Sequence, residues 1–543
     1  MDKENFNIYK YIAKKDTAYK YLENKEYERG LFLLKELVED YKNKDDIRNF
    51  INNSLNYARE LSKDKDWLKV LDVYRELIGF EGVTNKLYKN IGLCLAAIGY
   101  DADAINYFKL YEKLAPEDVE TYSFIGELAL DKLKNYPLAI EYYKKALKAG
   151  VENFLIYNTL GHIYSKLYRD SHKEEQISYF EKALELEPNN RVVINNLAYV
   201  YGKFDEVQKA DEMYGRLLMM NPKHAELHSY GAYLVKHKRF KAGFRFLRHR
   251  FQKEDISGSA FGNITKHMNK VWKIGEPLEG KKVLVHYEQG FGDSIMFVRF
   301  LKDLKDYDVT LTLQDGLIDF FKDSGISVPI KNIEETNVED YDIIIPMMDL
   351  PLVCNLKADN IPYAEGYLSV PESKVKEYGK KYIKKNKKFK IGFAFEGSQA
   401  SLETKRDIPV ELFYPLMKMK NVDMYCFQEG DIFKQLDKVP ETCKFTRLAD
   451  TFKNWEDTAC AIKNMDLIIT SDNGVMNLAG ALGAKTFGVF NSMTEWRWIK
   501  TQGDDIAWYK SVKPFQCPST NDWKTAMEEV TKEVRSIVNV KEK

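Results

Sequence analysis

The pattern of apolar and polar positions changes close to the middle of the chain. Up to about residue 255, small and apolar residues recur at the spacings of packed helices. After residue 256, apolar runs of strand length alternate with helical patterns, as in KKVLVHYE, DVTLTL, YDIIIPM, KIGFAFEG, VDMYCFQE, MDLIITSD and KTFGVFN. Such alternation is typical of parallel sheets covered by helices. The pattern therefore predicts an all-α first half and an α/β second half.

The first half contains an internal repeat. Gly92, Ala104, Phe108 and Pro116 follow one another at spacings of 12, 4 and 8 residues. The same spacings recur, wholly or in part, at Ala198, Ala210, Tyr214, Pro222; Gly231, Gly243, Leu247; Ala58, Val70, Tyr74; and Ala18, Gly30, Leu34. This array resembles the tetratricopeptide repeat, whose period is about 34 residues. Agreement over five units argues against a bundle of unrelated helices and predicts about seven repeats over residues 11 to 255, with a concave protein-binding face.

Tyrosine is abundant in this array, and it has two possible roles. The residues in question are Tyr107, Tyr111, Tyr142, Tyr143, Tyr157 and Tyr164. They can form a ladder that binds a partner, or they can fill the core between neighbouring helices. We favour the core for most of them.

The domain organisation predicted from these patterns has four parts. The repeat array occupies residues 1–255, and a small polar stretch begins a linker at 256–274. Two Rossmann-like subdomains follow at 275–375 and 385–543, and the final helix of the second is expected to cross back onto the first. In parallel sheets, ligands bind at the carboxyl ends of the strands. Nearly every unusual cluster of residues in the second half follows such an end, so we expect a site between the two subdomains.

The first cluster, EQGFGDSI, is a glycine turn that begins a helix. Gly290 and Gly292 allow backbone N–H groups to approach a ligand closely, and the helix start favours negative charge. The turn lacks both the GxGxxG spacing and the lysine of a phosphate-binding loop. Asp293 is either a base that removes a proton from an acceptor hydroxyl or simply the helix N-cap.

The second cluster, SDNGVMNLAGALG, also opens a helix after a strand. A phosphate can rest on the N–H groups near Asn473 and Gly474, and Asp472 can hold a sugar hydroxyl. The alternative is a tight strand-to-helix turn that binds nothing.

Two further clusters carry cations. Lys405 and Arg406 lie in the loop ETKRDIP, where they can offset the charge of a diphosphate or form an ordinary surface pair. EWRWI places two indoles beside Arg497, which suits either a ligand site or a buried anchor below the cleft.

Composition limits the possible functions. The 543 residues contain 82 basic and 82 acidic side chains, so the net charge is zero, which disfavours a general nucleic-acid binder. The first residues resemble no secretory signal, and no apolar run reaches the roughly 18 residues of a membrane span. The six cysteines are scattered without a CxxC pair, so neither a zinc site nor a disulfide framework is expected. We therefore expect a cytoplasmic protein.

Six motifs together resemble a known family. They are EQGFGDSIMFVRFL, IPMMDLP, IPYAEGYL, DTACAIKNMDLIITSDNGVMNLAGALG, EWRWI and AWYKSVKPFQ, in this order over about 280 to 520. They resemble the heptosyltransferase-like glycosyltransferases that are joined to tetratricopeptide repeats in bacteria. The resemblance implies a GT-B fold, with the acceptor in the first Rossmann-like domain, a nucleotide sugar in the second, and no metal or other cofactor. The architecture is also similar to that of O-linked N-acetylglucosamine transferases.

The resemblance also implies roles for individual residues. Asp293 corresponds to the catalytic base, Lys405 and Arg406 to the groups that face the leaving diphosphate, and Glu429 to a ribose ligand. Asp472, Asn473 and Gly474 would line the donor pocket. Asn477 stands where the family usually has histidine, and asparagine cannot donate a proton as an acid.

The sequence thus predicts a metal-independent hexosyl- or heptosyltransferase that uses a nucleotide sugar. Its acceptor is expected to be a protein, such as a surface or flagellar subunit, held by the repeat array. Two alternatives stay open. The second half can be an inactive adaptor, consistent with Asn477, or the acceptor can be a glycan of the lipopolysaccharide type.

Overall fold

The computed structural model describes residues 8–80, 84–252, 264–357, 361–397, 406–430, 433–499 and 506–541. Contacts divide the chain into two compact units. The first comprises Met1–Ile163 and Lys182–Pro188, and the second comprises Tyr164–Glu181 and Asn189–Lys543. The second unit therefore contains the end of the helical region together with all of the sheets.

The helical region begins the described chain and contains fourteen helices in its described residues. They are α1 (Ile8–Glu23), α2 (Tyr27–Tyr41), α3 (Lys44–Lys63), α4 (Trp67–Leu77), α5 (Lys86–Ala97), α6 (Asp101–Leu114), α7 (Glu120–Asp131), α8 (Tyr136–Lys148), α9 (Phe154–Leu167), α10 (Lys173–Leu186), α11 (Arg191–Lys203), α12 (Val207–Leu218), α13 (His224–Lys236) and α14 (Phe240–Leu247). The small residues of the repeat lie where two helices cross. A β-carbon on Gly92 would lie 2.6 Å from the Phe108 ring, and one on Gly126 would lie 2.9 Å from the Tyr143 ring. The predicted helical repeat is confirmed.

Most of the array's tyrosines are structural. Tyr111, Tyr142, Tyr143 and Tyr164 are buried. The Tyr111 hydroxyl donates to Asp118 at 2.6 Å, and the Tyr142 hydroxyl, on α8, donates to Glu112 on α6 at 2.9 Å. A buried hydroxyl needs such a partner, because an unpaired one costs free energy. The interpretation of these side chains as core is confirmed.

Two parallel sheets form the second half. The strands are β1 (Lys282–His286), β2 (Asp308–Leu313), β3 (Ile330–Asn332), β4 (Ile343–Pro346), β5 (Phe389–Ala394), β6 (Val422–Cys426), β7 (Thr446–Arg447), β8 (Leu467–Ser471), β9 (Thr486–Phe490) and β10 (Val512–Gln516). The first sheet has the order β3-β2-β1-β4 and the second the order β10-β9-β8-β5-β6-β7. Neighbouring strands in both orders pair in parallel, so the predicted α/β architecture is confirmed.

Helices connect and cover these strands. They are α15 (Phe291–Phe297), α16 (Asp315–Asp323), α17 (Leu350–Val353), α18 (Glu372–Tyr382), α19 (Tyr414–Met417), α20 (Phe433–Leu436), α21 (Trp455–Lys463), α22 (Gly474–Ala481) and α23 (Trp523–Lys541). Each predicted strand run overlaps an observed strand, because buried parallel strands are continuous apolar runs.

The end of the repeat region is built into the α/β core. Phe240, Phe244 and Leu247 of α14 belong to one hydrophobic cluster with residues of both sheets. The edges of Phe244 and Trp508 meet with ring centroids 6.4 Å apart. Residues on both sides of the boundary predicted at residue 255 therefore belong to one hydrophobic core. Of the predicted linker, residues 256–263 lie outside the described residues, and Trp272 donates its backbone N–H to Ile344 at 2.8 Å.

The final helix, α23, packs onto the second sheet. Its buried residues Trp523, Met527, Val530 and Val534 belong to a cluster formed with strands of that sheet. The expectation that this helix crosses back onto the first sheet is not met by its described residues. Among the helices that the structure describes, none combines the length and apolar character needed to cross a membrane.

Candidate functional site

The glycine turn follows β1, an inner strand of the first sheet. Gly290 is the N-cap of α15, with φ −69° and ψ 172°, and Asp293 lies in the first turn of that helix. The alternative role of Asp293 as the N-cap is therefore wrong, because Gly290 occupies that position. A β-carbon on Gly292 would lie 2.8 Å from the Asn477 side-chain nitrogen. Gly292 thus allows α15, from the first sheet, to approach α22, from the second.

Asn477 is buried in this helix contact, and both ends of its amide are used. Its nitrogen donates to the Asn473 carbonyl at 3.1 Å, and its oxygen accepts from the Tyr509 hydroxyl at 2.9 Å. These bonds hold α22 against a buried aromatic side chain. The structure therefore gives Asn477 a packing role.

Asn473 and Gly474 also serve the start of α22. The Asn473 side-chain oxygen accepts from the Met476 N–H at 3.1 Å and from the Thr470 hydroxyl at 3.0 Å. This is the side-chain capping that asparagine provides at a helix N-terminus. A β-carbon on Gly474 would lie 2.6 Å from the Trp455 ring, so glycine is needed there for close packing. The interpretation as a tight strand-to-helix turn accounts for both residues.

Five charged side chains form a continuous network across the two sheets. Asp293 Oδ1 accepts from Arg497 Nε at 2.9 Å and lies 2.8 Å from Arg497 Nη2. Arg497 Nη1 lies 2.6 Å from Glu495 Oε2, whose other oxygen lies 2.7 Å from Arg406 Nη2. Arg406 Nη1 lies 3.4 Å from Asp472 Oδ2. The network joins the glycine turn of the first sheet to strand ends of the second.

A small cleft that opens to solvent adjoins this network. Its lining consists of Arg406, Asp472, Val489, Phe490, Asn491, Met493, Thr494, Glu495, Trp498 and Trp523. Burial raises the pKa of Asp472 to about 6, although the nearby Arg406 cation opposes the shift. The cleft therefore combines three aromatic side chains with a guanidinium and two carboxylates.

The remaining predicted site residues lie elsewhere. Glu429 is on an exposed turn after β6 and is not part of the cleft lining. Lys405 lies outside the described residues. The structure thus brings together Asp293, Arg406 and Asp472 through Arg497 and Glu495.

A second network of charged side chains lies next to the glycine turn. Arg250, in the 3-10 turn Arg248–Gln252 after α14, makes a bidentate pair with Glu288 at 2.7 and 2.9 Å. It also donates to Asp349 at 2.8 Å, and all three side chains are buried. Burial raises the pKa of Glu288, and the Arg250 cation opposes that rise. Since Glu288 directly precedes the turn, the end of the repeat region fixes its position.

Sequence reasoning missed Arg250, Glu288 and Glu495. Glu288 stands within the quoted EQGFGD motif, and Glu495 opens EWRWI, so the motifs contained a signal. Arg250 lies in HRF, beyond the last recognised repeat position, and its sequence context resembles a solvated helix end. Only the fold shows that this guanidinium is buried.

The comparisons with known proteins concern mainly the repeats. Residues 119–149 and 155–190 match the tetratricopeptide repeat family. Protein FlbA of Caulobacter vibrioides is 22% identical over 285 residues, which cover 48% of this chain and 47% of FlbA. The chain thus matches about half the length of this curated relative.

Two solved structures are similar to part of the chain. YrrB, described as a TPR protein with an unusual peptide-binding site, is 17% identical; the match covers 36% of this chain and 98% of YrrB, with a TM-score of 0.30. MamA 41-end from Desulfovibrio magneticus RS-1 is 21% identical over 31% of this chain and 93% of that protein, with a TM-score of 0.28. Tetratricopeptide arrays present extended surfaces that bind proteins. The family match therefore shows tetratricopeptide repeats at residues 119–149 and 155–190, and repeats of this class imply a protein-binding role.

Proposed function

We propose that the chain is a glycosyltransferase of GT-B fold that transfers a sugar from a nucleotide sugar to a protein held by the repeats. The observation that carries the proposal is the meeting of Asp293, from the first sheet, with Arg497, from the second, beside an open cleft. A carboxylate and two guanidinium groups at one place provide a proton acceptor and partners for a leaving diphosphate. The resemblance of six motifs to heptosyltransferase-like enzymes supports the same assignment.

The proposed reaction needs no bound cofactor. Asp293 takes the proton from the acceptor hydroxyl, whose oxygen forms the new bond to the anomeric carbon of the sugar. The bond between that carbon and the diphosphate oxygen breaks, and the electron pair leaves with the diphosphate. Arg406 and Arg497 stabilise the charge that develops on this leaving group. The protein acts in the cytoplasm, and its acceptor is a surface or flagellar subunit.

Turnover of a nucleotide-sugar panel tests the proposal. With the full-length protein and its natural target, wild type should transfer a sugar, detected by mass spectrometry of the acceptor. Asp293→Asn should lower the rate by about 10²- to 10⁴-fold, the range of general-base contributions. Asp306→Asn is the matched control, because it removes an exposed carboxylate of the same subdomain. Equal rates in wild type and Asp293→Asn would reject the assigned base.

The inactive adaptor is the second candidate function, and the packing roles of Asn473 and Asn477 favour it. Stable binding of a protein partner, without hydrolysis or transfer of any donor by wild type, would establish this alternative.

A direct comparison of acceptors tests whether the acceptor is a glycan of the lipopolysaccharide type. The full-length chain is given purified glycan or purified protein, and the acceptor that receives the sugar is identified. Deleting residues 1–255 is not a suitable test of the array's role. That deletion removes Phe240, Phe244 and Leu247 from the core of the α/β region and Arg250 from its buried network. Loss of activity would then reflect loss of folding.

A further inference from the structure

We propose that Glu495 is an internal anion that occupies the place of the donor's diphosphate between Arg406 and Arg497. A diphosphate would replace this carboxylate when it binds. The identity of the ligand as a diphosphate rests on the proposed function. What the inference adds is that Glu495 competes with this ligand for the two arginines. Glu495 would thereby set the affinity of the cleft for its anion.

The bonding of Glu495 resembles that of a bridging ligand. Its two oxygens serve different partners, since Oε1 lies 2.7 Å from Arg406 and Oε2 lies 2.6 Å from Arg497. A diphosphate also offers separate oxygens to two guanidinium groups, and arginine is suited to such recognition because its planar fork of donors matches phosphate geometry. The same two arginines can therefore receive either anion.

The position of Glu495 allows the exchange. It follows β9 and precedes the short 3-10 turn Trp496–Trp498, and its side chain is 37% exposed. The partner side chains are less accessible, at 27% for Arg406 and 18% for Arg497. The carboxylate can thus turn into water while the two guanidinium groups, of which Arg406 lines the cleft, keep their positions. A partly exposed ion pair is also weak, so its loss opposes ligand binding only modestly.

The local charge makes the exchange necessary. Around the two guanidinium groups lie three carboxylates, those of Asp293, Glu495 and Asp472. Asp293 and Asp472 each contact one arginine, whereas Glu495 joins both. An incoming anion therefore meets a site whose cations are already paired, and displacement of Glu495 frees a donor on each arginine at once.

Calorimetric titration with inorganic pyrophosphate, at constant ionic strength, tests the inference on the full-length protein. Glu495→Gln should bind pyrophosphate about tenfold more tightly than wild type, because the competing charge-assisted bonds are lost. Glu495→Ala should shift in the same direction, which guards against a specific effect of the amide. Arg497→Met should bind about tenfold more weakly.

Glu533→Gln is the matched control. Glu533 lies 2.8 Å from Lys513, and its side chain is 40% exposed, so the substitution removes a comparable ion pair and the same charge outside the cleft. Its affinity for pyrophosphate should stay within about twofold of wild type, since separated surface charges are screened. A titration with sulfate distinguishes a diphosphate site from general attraction of anions.

The double variant Glu495→Gln/Arg497→Met makes the test specific. If Glu495 competes through Arg497, the gain from Glu495→Gln should be smaller when Arg497 is absent, which a double-mutant cycle measures. The inference is overturned if Glu495→Gln binds like Glu533→Gln, if the cycle shows no coupling, or if no variant binds pyrophosphate. The assay needs no turnover, so it separates the two proposals. If the protein transfers a sugar but the Glu495 variants bind pyrophosphate as wild type does, the proposed function stands and the inference about Glu495 fails. If pyrophosphate binding depends on Glu495 but no sugar is transferred, the anion site stands and the proposed function fails.

Discussion

The helical repeats and the α/β region differ in how far apart their important contacts lie along the chain. In the repeats, Gly92 meets Phe108 and Tyr111 meets Asp118, so the contacts lie within one unit of the period. In the α/β region, Asp293 meets Arg497 over 204 residues and Arg299 donates to the Trp508 carbonyl over 209. The repeats therefore depend on local pattern, whereas the candidate site exists only after distant segments have packed.

The two regions also bury different kinds of polar groups. The repeats bury tyrosine hydroxyls that donate to carboxylates of the same or a neighbouring helix, as Tyr142 does to Glu112. The repeats also bury the Asp46 carboxylate, 2.8 Å from Lys15, but the α/β region buries complete charges more often. Arg250 is bonded to two carboxylates, and Arg299 lies against aromatic rings, 4.3 Å from the centroid of Tyr367. Losing a partner should therefore cost more in the α/β region.

The largest effect is expected from Arg250→Met. It leaves Glu288 buried without its cation, and breaking a buried pair in this way costs about 3–5 kcal/mol. Urea unfolding followed by tryptophan fluorescence measures the change, because six of the seven tryptophans follow residue 270. Arg29→Met in the repeats is the control, since that pair with Glu26 is exposed and is worth about 0–1 kcal/mol. If Arg250→Met and Arg29→Met lowered the free energy of unfolding equally, the expected difference between the two regions would be wrong.

The next effect concerns pH. Burial lowers the pKa of His286, on β1, to about 4. The unfolded chain takes up this proton near pH 6.5 and the folded chain does not, so stability falls as the pH drops from about 6.5 towards 4. Between pH 7 and pH 5, His286 should account for a loss of about 2 kcal/mol in the free energy of unfolding.

His286→Leu should remove this part of the acid sensitivity. Urea unfolding at pH 7 and pH 5 measures it, and the difference between the two values should be smaller in the variant. An unchanged difference would show that His286 is protonated in the folded protein at pH 5.

A smaller effect is expected from matched glycine substitutions. A β-carbon on Gly92 would lie 2.6 Å from Phe108, and one on Gly392, in β5, would lie 2.3 Å from Phe427. Each alanine variant should lose about 1–3 kcal/mol through overpacking. Hydrogen exchange should locate the loss near Gly92 in the repeats, where each unit contacts its neighbours, but across the sheet for Gly392. Equally widespread loss in both would contradict the local character of the array.

The smallest effect is expected from Tyr111→Phe. It removes the hydroxyl that donates to Asp118 and should cost about 1 kcal/mol, the usual net value of a hydrogen bond. Thermal unfolding followed by circular dichroism measures the change. Tyr107→Phe is the control, because that half-buried ring stacks on Tyr88 with centroids 6.5 Å apart. A larger loss of thermal stability in Tyr107→Phe than in Tyr111→Phe would contradict the structural role assigned to the Tyr111 hydroxyl.

Part of the candidate site was predictable from its motifs. The positions of Asp293, Arg406 and Asp472 at strand ends follow from chain order, because parallel strands place their carboxyl ends at one edge. The partner of Asp293 was not predictable, since nothing near EQGFGD points to Arg497. The packing of Asn477 against Tyr509 was equally hidden, because asparagine at a helix start is also typical of a ligand site.

Local sequence patterns are enough to specify the repeats and the strands. Small residues at fixed spacing specify close helix crossings, and continuous apolar runs specify buried parallel strands, so both are written in short windows. Three features depend instead on the packing of distant segments. These are the membership of α14 and Arg250 in the α/β core, the position of the final helix on the second sheet, and the bridge that Glu495 forms between two arginines. Burial and ion pairing depend on which distant surfaces pack together, and a local pattern of residues does not predict that packing.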